Sequence, residues 1–384
     1  MIDKTMSINN INRMGGGTRI TSIDSLRAFA LFGILLVHVC SGMGSGTTCY
    51  NPFLIDTICN FGCGIIFQGR CALIFNVLFG ISFYIILRKP NYSSSKFVWR
   101  CFLLFIIGLV NQYFYNSDAL MWYGLCGMAL VSVRNFSNRK LIYFIAVLYC
   151  LSFIIQTFHL GNKLSDVLPP FVRYRKETTE LGFLLSYPFG ILRYFVGVLN
   201  SGIFRTLANF AFGYLLGRIG FVERWDKQIT SKYVWVSLLS YILLYILKLL
   251  ISYKQGLCVP EIIQNVLFTT ANLSGAAFYT FFFIWVYNNV KPIHSFLRWL
   301  ENYGKCGLTN YTMQGIIGNI IFFHFGLSWF DCHFIFIFFG AIAFYFLQCW
   351  FCQIWLTHFN NGPMEYLWRC ATERKMLQFR KTRS

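Results

Sequence analysis

The chain has 384 residues, of which 56% are hydrophobic, 20% aromatic and only 12% charged, with a mean hydropathy of +0.54. Soluble domains carry about 25% charged residues, so this composition excludes an ordinary soluble enzyme or binding module. The net charge of +19 would suit a nucleic-acid partner, but the basic residues lie in short clusters between apolar runs, and no nucleic acid is expected.

Apolar runs of about 20 residues, the length that crosses a hydrocarbon core of about 30 Å, fall at 24–43, 70–87, 97–115, 118–133, 140–160, 199–217, 233–252, 263–287, 307–323 and 334–356. The expected fold is therefore all-α: a polytopic integral membrane protein with about ten transmembrane helices. The first run is long, holds charges and is followed by further runs, so it is not a cleavable signal peptide. Residues 1–20, with Gly15-Gly16-Gly17, read as a flexible leader, 21–361 as one transmembrane domain and 362–384 as a basic tail that meets anionic lipid headgroups. Of the 33 Lys and Arg residues, 23 fall in alternate gaps beginning with the N-terminal segment and eight in the other gaps. Six of those eight belong to the long stretch 161–205, read as an outer or re-entrant loop, where charge carries little topological weight. Both termini are thereby expected on the cytoplasmic side.

In chain order, the first span carries the most informative groups, because ionisable residues within spans are costly and mark function by default. Arg27 and His38 are eleven residues apart; at about 100° per residue they leave nearly the same face, offset by roughly 16 Å along the axis. Asp24 sits one turn before Arg27, in i,i+3 range. One reading makes His38 a general base for a hydroxyl or amine and Arg27 the holder of an anionic group on an acyl donor. The other makes Asp24–Arg27 an interfacial ion pair and His38 a polar link between helices.

Cys49, Cys59 and Cys63 fall in the first outer gap, where an oxidising compartment would permit a disulfide. Asn76 in the second span is either a substrate ligand or an interhelical bond. Asp118 reads as the cap of the fourth span, and Trp122 and Tyr123 as part of an interfacial aromatic belt. Asn310 and Gln314, four apart on the ninth span, face one way and either orient a substrate or link helices. His324, Asp331 and His333 gather at one turn but lack the further ligands of a metal site, and no metal is expected. Cys349 and Cys352 form a CxxC within a span, an implausible setting for zinc or redox work. Glu365 and Arg369 are spaced as an i,i+4 pair. No phosphate-binding glycine loop, zinc-protease motif or nucleophile elbow occurs.

The Arg-x10-His spacing in the first span resembles the motif of the type-3 acyltransferase membrane family. From about residue 20 to 370 the chain resembles the YeiB-like family of bacterial multi-pass membrane proteins, a domain of unknown function. That resemblance rests on Ser22–Val39 (SIDSLRAFALFGILLVHV), Asn51-Pro52, Phe75–Gly80 (FNVLFG), Asp118–Gly127 (DALMWYGLCG), Gly307–Gln314 (GLTNYTMQ) and Gly362–Arg369 (GPMEYLWR). The YeiB-like family is itself similar to the transmembrane acyltransferase superfamily. The resemblance implies a cytoplasmic (inner) membrane location and transfer of an acyl group from acyl-CoA, acetyl-CoA above all, to a sugar, lipid-linked or small-molecule acceptor. It implies catalytic roles for His38, Arg27 and Asp24, beside which Asn310, Gln314 and Asn76 are the candidate substrate-binding residues. A transporter for a small solute is the alternative, since polar groups at the midplane also serve transport; a non-catalytic scaffold is a third reading.

Overall fold

The computed structural model describes residues 21–40, 53–89, 92–114, 118–159, 202–253, 259–322 and 333–381. The expected loop at 161–205 lies almost wholly outside them, as do the N-terminal leader, Cys49, His324 and Asp331. The described residues form fourteen helices: α1 (Thr21–Cys40), α2 (Leu54–Ile66), α3 (Arg70–Leu87), α4 (Ser94–Phe114), α5 (Leu120–Ser132), α6 (Asn138–Thr157), α7 (Gly202–Arg218), α8 (Phe221–Gln228), α9 (Ser231–Tyr253), α10 (Glu261–Asn289), α11 (Lys291–Lys305), α12 (Gly307–Phe322), α13 (Phe334–His358) and α14 (Pro363–Glu373). An isolated bridge between Phe359 and Arg380 is the sole β pairing among them. The fold is all-α.

Seven helical stretches among the described residues are long and apolar enough to cross a membrane: Thr21–Cys40, Leu54–Leu87, Ser94–Gln112, Asn138–Thr157, Ser231–Ile251, Glu261–Asn289 and Phe334–His358. The three other runs expected to span are helices too, but α5, α7 and α12 have 13, 17 and 16 residues, fewer than the about 20 of a full perpendicular crossing. The outward faces are apolar: Tyr143, Leu243 and Phe336 are 71%, 68% and 68% exposed. Water would not tolerate so broad an apolar surface, and a bilayer requires it.

Helix α1 is the axis of the bundle, with 67% of its span buried against 17% for α6 and α9. It packs chiefly on α11, α3 and α13. Small residues allow the close crossings, as lipid-embedded helices need when apolar burial no longer separates partners from solvent. A Cβ on Gly304 of α11 would overlap the Asp24 carbonyl of α1, and one on Gly80 of α3 would overlap the Phe210 carbonyl of α7. The α3/α5/α7 junction is filled by aromatic rings, with Phe79 4.9 Å from Tyr123 and 5.8 Å from Phe210 between centroids, separations at which tilted and offset rings attract.

Three helices lie where gaps were expected, and a fourth lies in the basic tail, where the Glu365 and Arg369 spacing suited one. The first outer gap holds α2, which the chain leaves through a turn at Gly69 (φ 79°), a left-handed conformation suited to glycine. Cys63 is buried there, and Cys59 and Cys63 are free thiols. The charged stretch around Lys291 and Arg298 is α11, whose Lys291 and Arg298 are exposed while Leu297, Leu300, Glu301 and Tyr303 are buried. The remaining two are α8 and α14, each short and amphipathic. Trp122 and Tyr123, expected in an aromatic belt, are both 5% exposed and belong to the protein core, on the part of α5 that packs between α4 and α7.

Candidate functional site

The first turns of α1 are anchored from three sides. Thr21 Oγ1 and Tyr287 Oη share a hydrogen bond of 3.0 Å, Ser25 Oγ donates to the Leu297 carbonyl at 2.8 Å, and Tyr345 Oη donates to the Ala28 carbonyl at 3.2 Å. This clamp holds Asp24 buried and aims Arg27 across to α3. Arg27 Nη1 donates to Asp24 Oδ1 at 2.8 Å and Nη2 to Ser82 Oγ at 2.9 Å, so the i,i+3 pair read from spacing is present and α3 completes it. With Asp24 and Ser82 fixing two of its nitrogens, the guanidinium is a pre-oriented donor.

Arg27 lines a cavity of about 250 Å³. Arg100 from α4, Lys305 from α11 and Glu365 from α14 reach the same space, with Phe75, Phe79 and Tyr311 among its aromatic walls. Arg100 stacks 3.7 Å over the Trp368 ring, a cation–π contact, while Trp368 Nε1 donates to the Arg100 carbonyl at 2.9 Å. Arg100 Nε is buried and has no protein hydrogen-bond partner among the described residues. Lys305 Nζ donates to Asn302 Oδ1 at 3.2 Å. Three cations thus meet one carboxylate.

That carboxylate has another duty. Glu365 Oε1 accepts from the Leu308 and Thr309 main-chain N–H groups at 2.6 and 3.1 Å, and Oε2 from Thr309 Oγ1 at 2.5 Å. It caps the N-terminus of α12, where unpaired N–H groups and the helix dipole favour an anion. Burial nonetheless holds the Glu365 carboxyl above its ordinary value of 4.5, against the pull of those hydrogen bonds. The expected Glu365–Arg369 pair is not formed: Arg369 Nη1 donates instead to Asn361 Oδ1 at 2.6 Å. The helix end, with several donors at hydrogen-bond range, outcompetes one exposed guanidinium.

His38 does not line the cavity. It lies in the last turn of α1, half-buried, with its ring 6.2 Å from that of Tyr311. Tyr311 does line the cavity, so its ring is the wall that Arg27 and His38 share. The Ala119 N–H donates to Tyr311 Oη at 3.2 Å. Asp118, wholly buried, accepts from Asn111 Nδ2 at 3.1 Å and stands beside the first main-chain N–H groups of α5, one position before the N-cap residue, which is Ala119 and not Asp118.

Asn310 and Gln314 do share a face, and that face is a hydrogen-bonded junction of α11, α12 and α13. Asn310 Nδ2 donates to the Tyr303 carbonyl at 3.0 Å and approaches Cys352 Sγ at 3.3 Å; Gln314 Nε2 donates to Tyr303 Oη at 2.9 Å; Gln348 Nε2 donates to the Asn310 carbonyl at 3.2 Å. Cys352 of the CxxC is part of this junction. Asn76 is buried on α3, where its Oδ1 has no partner among the described residues. His333 Nδ1 lies 3.0 Å from Asp56 Oδ2. Among the cavity residues, sequence reasoning singled out Arg27 and, in another role, Glu365. It passed over Ser82, Arg100, Lys305, Tyr311 and Trp368, although Tyr311 and Trp368 stand in the two C-terminal stretches that carry the family resemblance.

Residues 216–375 match the family described as "Protein of unknown function (DUF418)". The chain is 24% identical to the uncharacterized protein YxaH of Bacillus subtilis (strain 168), over 92% of this chain and 94% of that one. It is 23% identical, over the same shares, to an uncharacterized 39.9 kDa protein in the amylase 3' region of Bacillus acidopullulyticus. Over 72 residues, 18% of each chain, it is 39% identical to the uncharacterized protein YeiB of Escherichia coli (strain K12). The chain is thus similar to YeiB and YxaH, and its C-terminal part matches a domain of unknown function. Both C-terminal stretches that build the cavity, Gly307–Gln314 and Gly362–Arg369, fall within the matched region.

Proposed function

We propose that this chain is a membrane-embedded acyltransferase that moves an acyl group from a cytoplasmic acyl-CoA, acetyl-CoA above all, to a hydroxyl or amine of a sugar, lipid-linked or small-molecule acceptor. In this reading it threads the bacterial inner membrane about ten times with both termini in the cytoplasm, the arrangement its basic clusters favour. The observation that carries the reading is the Tyr311 ring, which walls a cavity holding Arg27, Arg100 and Lys305 and also contacts His38. The cations suit the anionic part of a donor. At about 250 Å³ the cavity is smaller than the roughly 300–1,000 Å³ of sites for drug-sized ligands, so it takes one end of a donor and leaves the rest outside.

His38 takes the proton of an acceptor lying along Tyr311, the acceptor oxygen or nitrogen bonds to the thioester carbonyl carbon, and the carbon–sulfur bond breaks. The leaving thiolate recovers the proton from the imidazolium, and Asp24 keeps Arg27 in place throughout. Inverted membrane vesicles supplied with acetyl-labelled acetyl-CoA test this. Label should pass to a membrane lipid or glycan fraction with one free thiol released per transfer, and His38→Ala should abolish both while inserting normally. Undiminished transfer by His38→Ala ends this mechanism.

A second polar cavity of about 690 Å³ opens at the Cys40 end of α1 and favours transport as the second reading, since a solute path needs openings at both ends. Uptake of an unchanged solute without thiol release would select it.

A further inference from the structure

The cavity at the Cys40 end carries charges of its own. Arg70, the first residue of α3, is 2% exposed. Its Nη1 donates to the Gly64 and Gln68 carbonyls, each at 3.1 Å, and its Nε is buried without a partner among the described residues. Gly275 on α10 leaves the room that this side of the guanidinium occupies, since a Cβ there would come 3.1 Å from Nε. Lys248, from the second-last turn of α9, lines the same cavity.

Both cations face one ring. Arg70 Cζ is 5.3 Å and Lys248 Nζ 5.2 Å from the centre of Tyr245, so the two charges are at most roughly 10.5 Å apart, within repulsive range in a medium of low dielectric. Tyr241 and Phe268 complete an aromatic box around them, at 5.0 and 4.6 Å. Neither cation forms an ion pair with a described residue. The carboxylate that lines this cavity is Asp56, and it is committed elsewhere: Oδ1 accepts from Ile335 N–H at 2.8 Å, and Oδ2 from Phe53 N–H at 2.8 Å with His333 Nδ1 at 3.0 Å. A buried and a half-buried cation within a bilayer, with no ion-pair partner among the described residues, are costly, and aromatic faces offset only a part.

We infer that the cavity between α2, α3, α9 and α10 is a second binding site, for a phosphate group held by Arg70 and Lys248. A phosphate brings the missing negative charge and several acceptor oxygens, which suit a guanidinium edge and an ammonium. The side chains of Gln68 and Asn272, in the same lining, supply neutral donors. The inference stands apart from the acyl-transfer reading, since none of its residues touches the Arg27 cavity. The same chemistry is offered by the headgroup of an anionic phospholipid and by a soluble phosphate ester.

Native mass spectrometry of the detergent-purified full chain distinguishes these with three probes: phosphatidylglycerol, phosphatidylcholine and glycerol 3-phosphate. The wild type should bind phosphatidylglycerol or glycerol 3-phosphate in preference to phosphatidylcholine. Binding of phosphatidylglycerol alone assigns a lipid headgroup, and binding of glycerol 3-phosphate assigns a soluble ester. Lys248→Gln, at a half-buried position with no ion pair to a described residue, should weaken the preferred probe at least about tenfold, as loss of one charge-assisted bond does. Lys291→Gln, exposed at the start of α11, should leave it unchanged; Arg70→Lys, which keeps the charge and loses the fork, should weaken it less than Lys248→Gln does. Equal binding of all three probes, binding of none, or an unchanged affinity in Lys248→Gln would overturn the site.

Discussion

The two ends of α1 treat positive charge in opposite ways. At the Arg27 end, the guanidinium is paired with Asp24, bonded to Ser82 and set among side chains packed close enough to require Gly304. At the Cys40 end, Arg70 and Lys248 share one tyrosine ring over a larger, looser space and pair with no carboxylate among the described residues. The first is a site finished by the protein; the second is a site that a ligand would finish. A buried ion pair is a poor source of stability but an expensive thing to break, so the two regions should respond to mutation with different signs.

The largest difference is steric. Gly304→Val would drive a side chain into the Asp24 carbonyl and should cost about 4 kcal/mol or more, in the range of severe core overpacking, with little folded protein recovered by size-exclusion chromatography. Gly64→Ala at the other end meets nothing closer than the flexible Gln68 amide at 3.5 Å. Within a helix it should be neutral or stabilise by up to about 1 kcal/mol.

Next comes charge. Arg27→Gln strands Asp24, whose side chain is 5% exposed, and should cost about 3–5 kcal/mol, much of it restored by Asp24→Asn in the same chain. Lys248→Gln strands nothing and should leave the melting temperature in a neutral detergent equal to the wild type or higher. Equal losses from both single variants would erase the distinction between the ends.

The smallest effect tests a pair between the first turn of α4 and the end of α14, whose carboxylate lies outside the spans. Lys96 Nζ lies 2.5 Å from Glu373 Oε2, and that contact holds the Glu373 carboxyl below its ordinary value of 4.5. A depressed carboxyl stabilises the fold above 4.5 and loses the contribution as pH falls through its folded value. With both side chains about a third exposed, the pair is worth about 0.2–1 kcal/mol. The wild type's advantage over Lys96→Gln in thermal melts should fade as pH drops below 4.5. Glu365, raised by burial, runs the other way: wild-type stability relative to Glu365→Gln should fall as pH rises above that value.

Much of the architecture was legible because lipid imposes one simple rule, a long apolar run per crossing, and each expected run coincides with a helix. What escaped were helices whose burial is one-sided. In α11 the stretch KPIHSFLRWLENYGK presents Lys291 and Arg298 outward and hides Leu297, Leu300 and Tyr303, so a hydropathy window averages it to a loop. Trp122 and Tyr123 were misplaced because composition cannot say which side of a span faces lipid. Within the site, the Asp24–Arg27 pair followed from local spacing. Arg100, Lys305 and Glu365 join it from α4, α11 and α14, and no periodicity within one segment reports on a meeting of three. Asn310 and Gln314 were correctly set on one face, but only tertiary contacts reveal that Tyr303, Gln348 and Cys352 occupy it.

The division of labour between Arg27 and His38 is tested most directly by measuring donor binding and transfer separately in the same preparation. With purified protein in liposomes, isothermal titration with acetyl-CoA and label transfer from acetyl-CoA should part company. His38→Ala should bind the donor as the wild type does and transfer nothing, while Arg27→Lys, which keeps the charge beside Asp24, should weaken binding by about tenfold and keep a slow transfer. Transfer at the wild-type rate by His38→Ala, or donor affinity untouched by Arg27→Lys, would contradict the account.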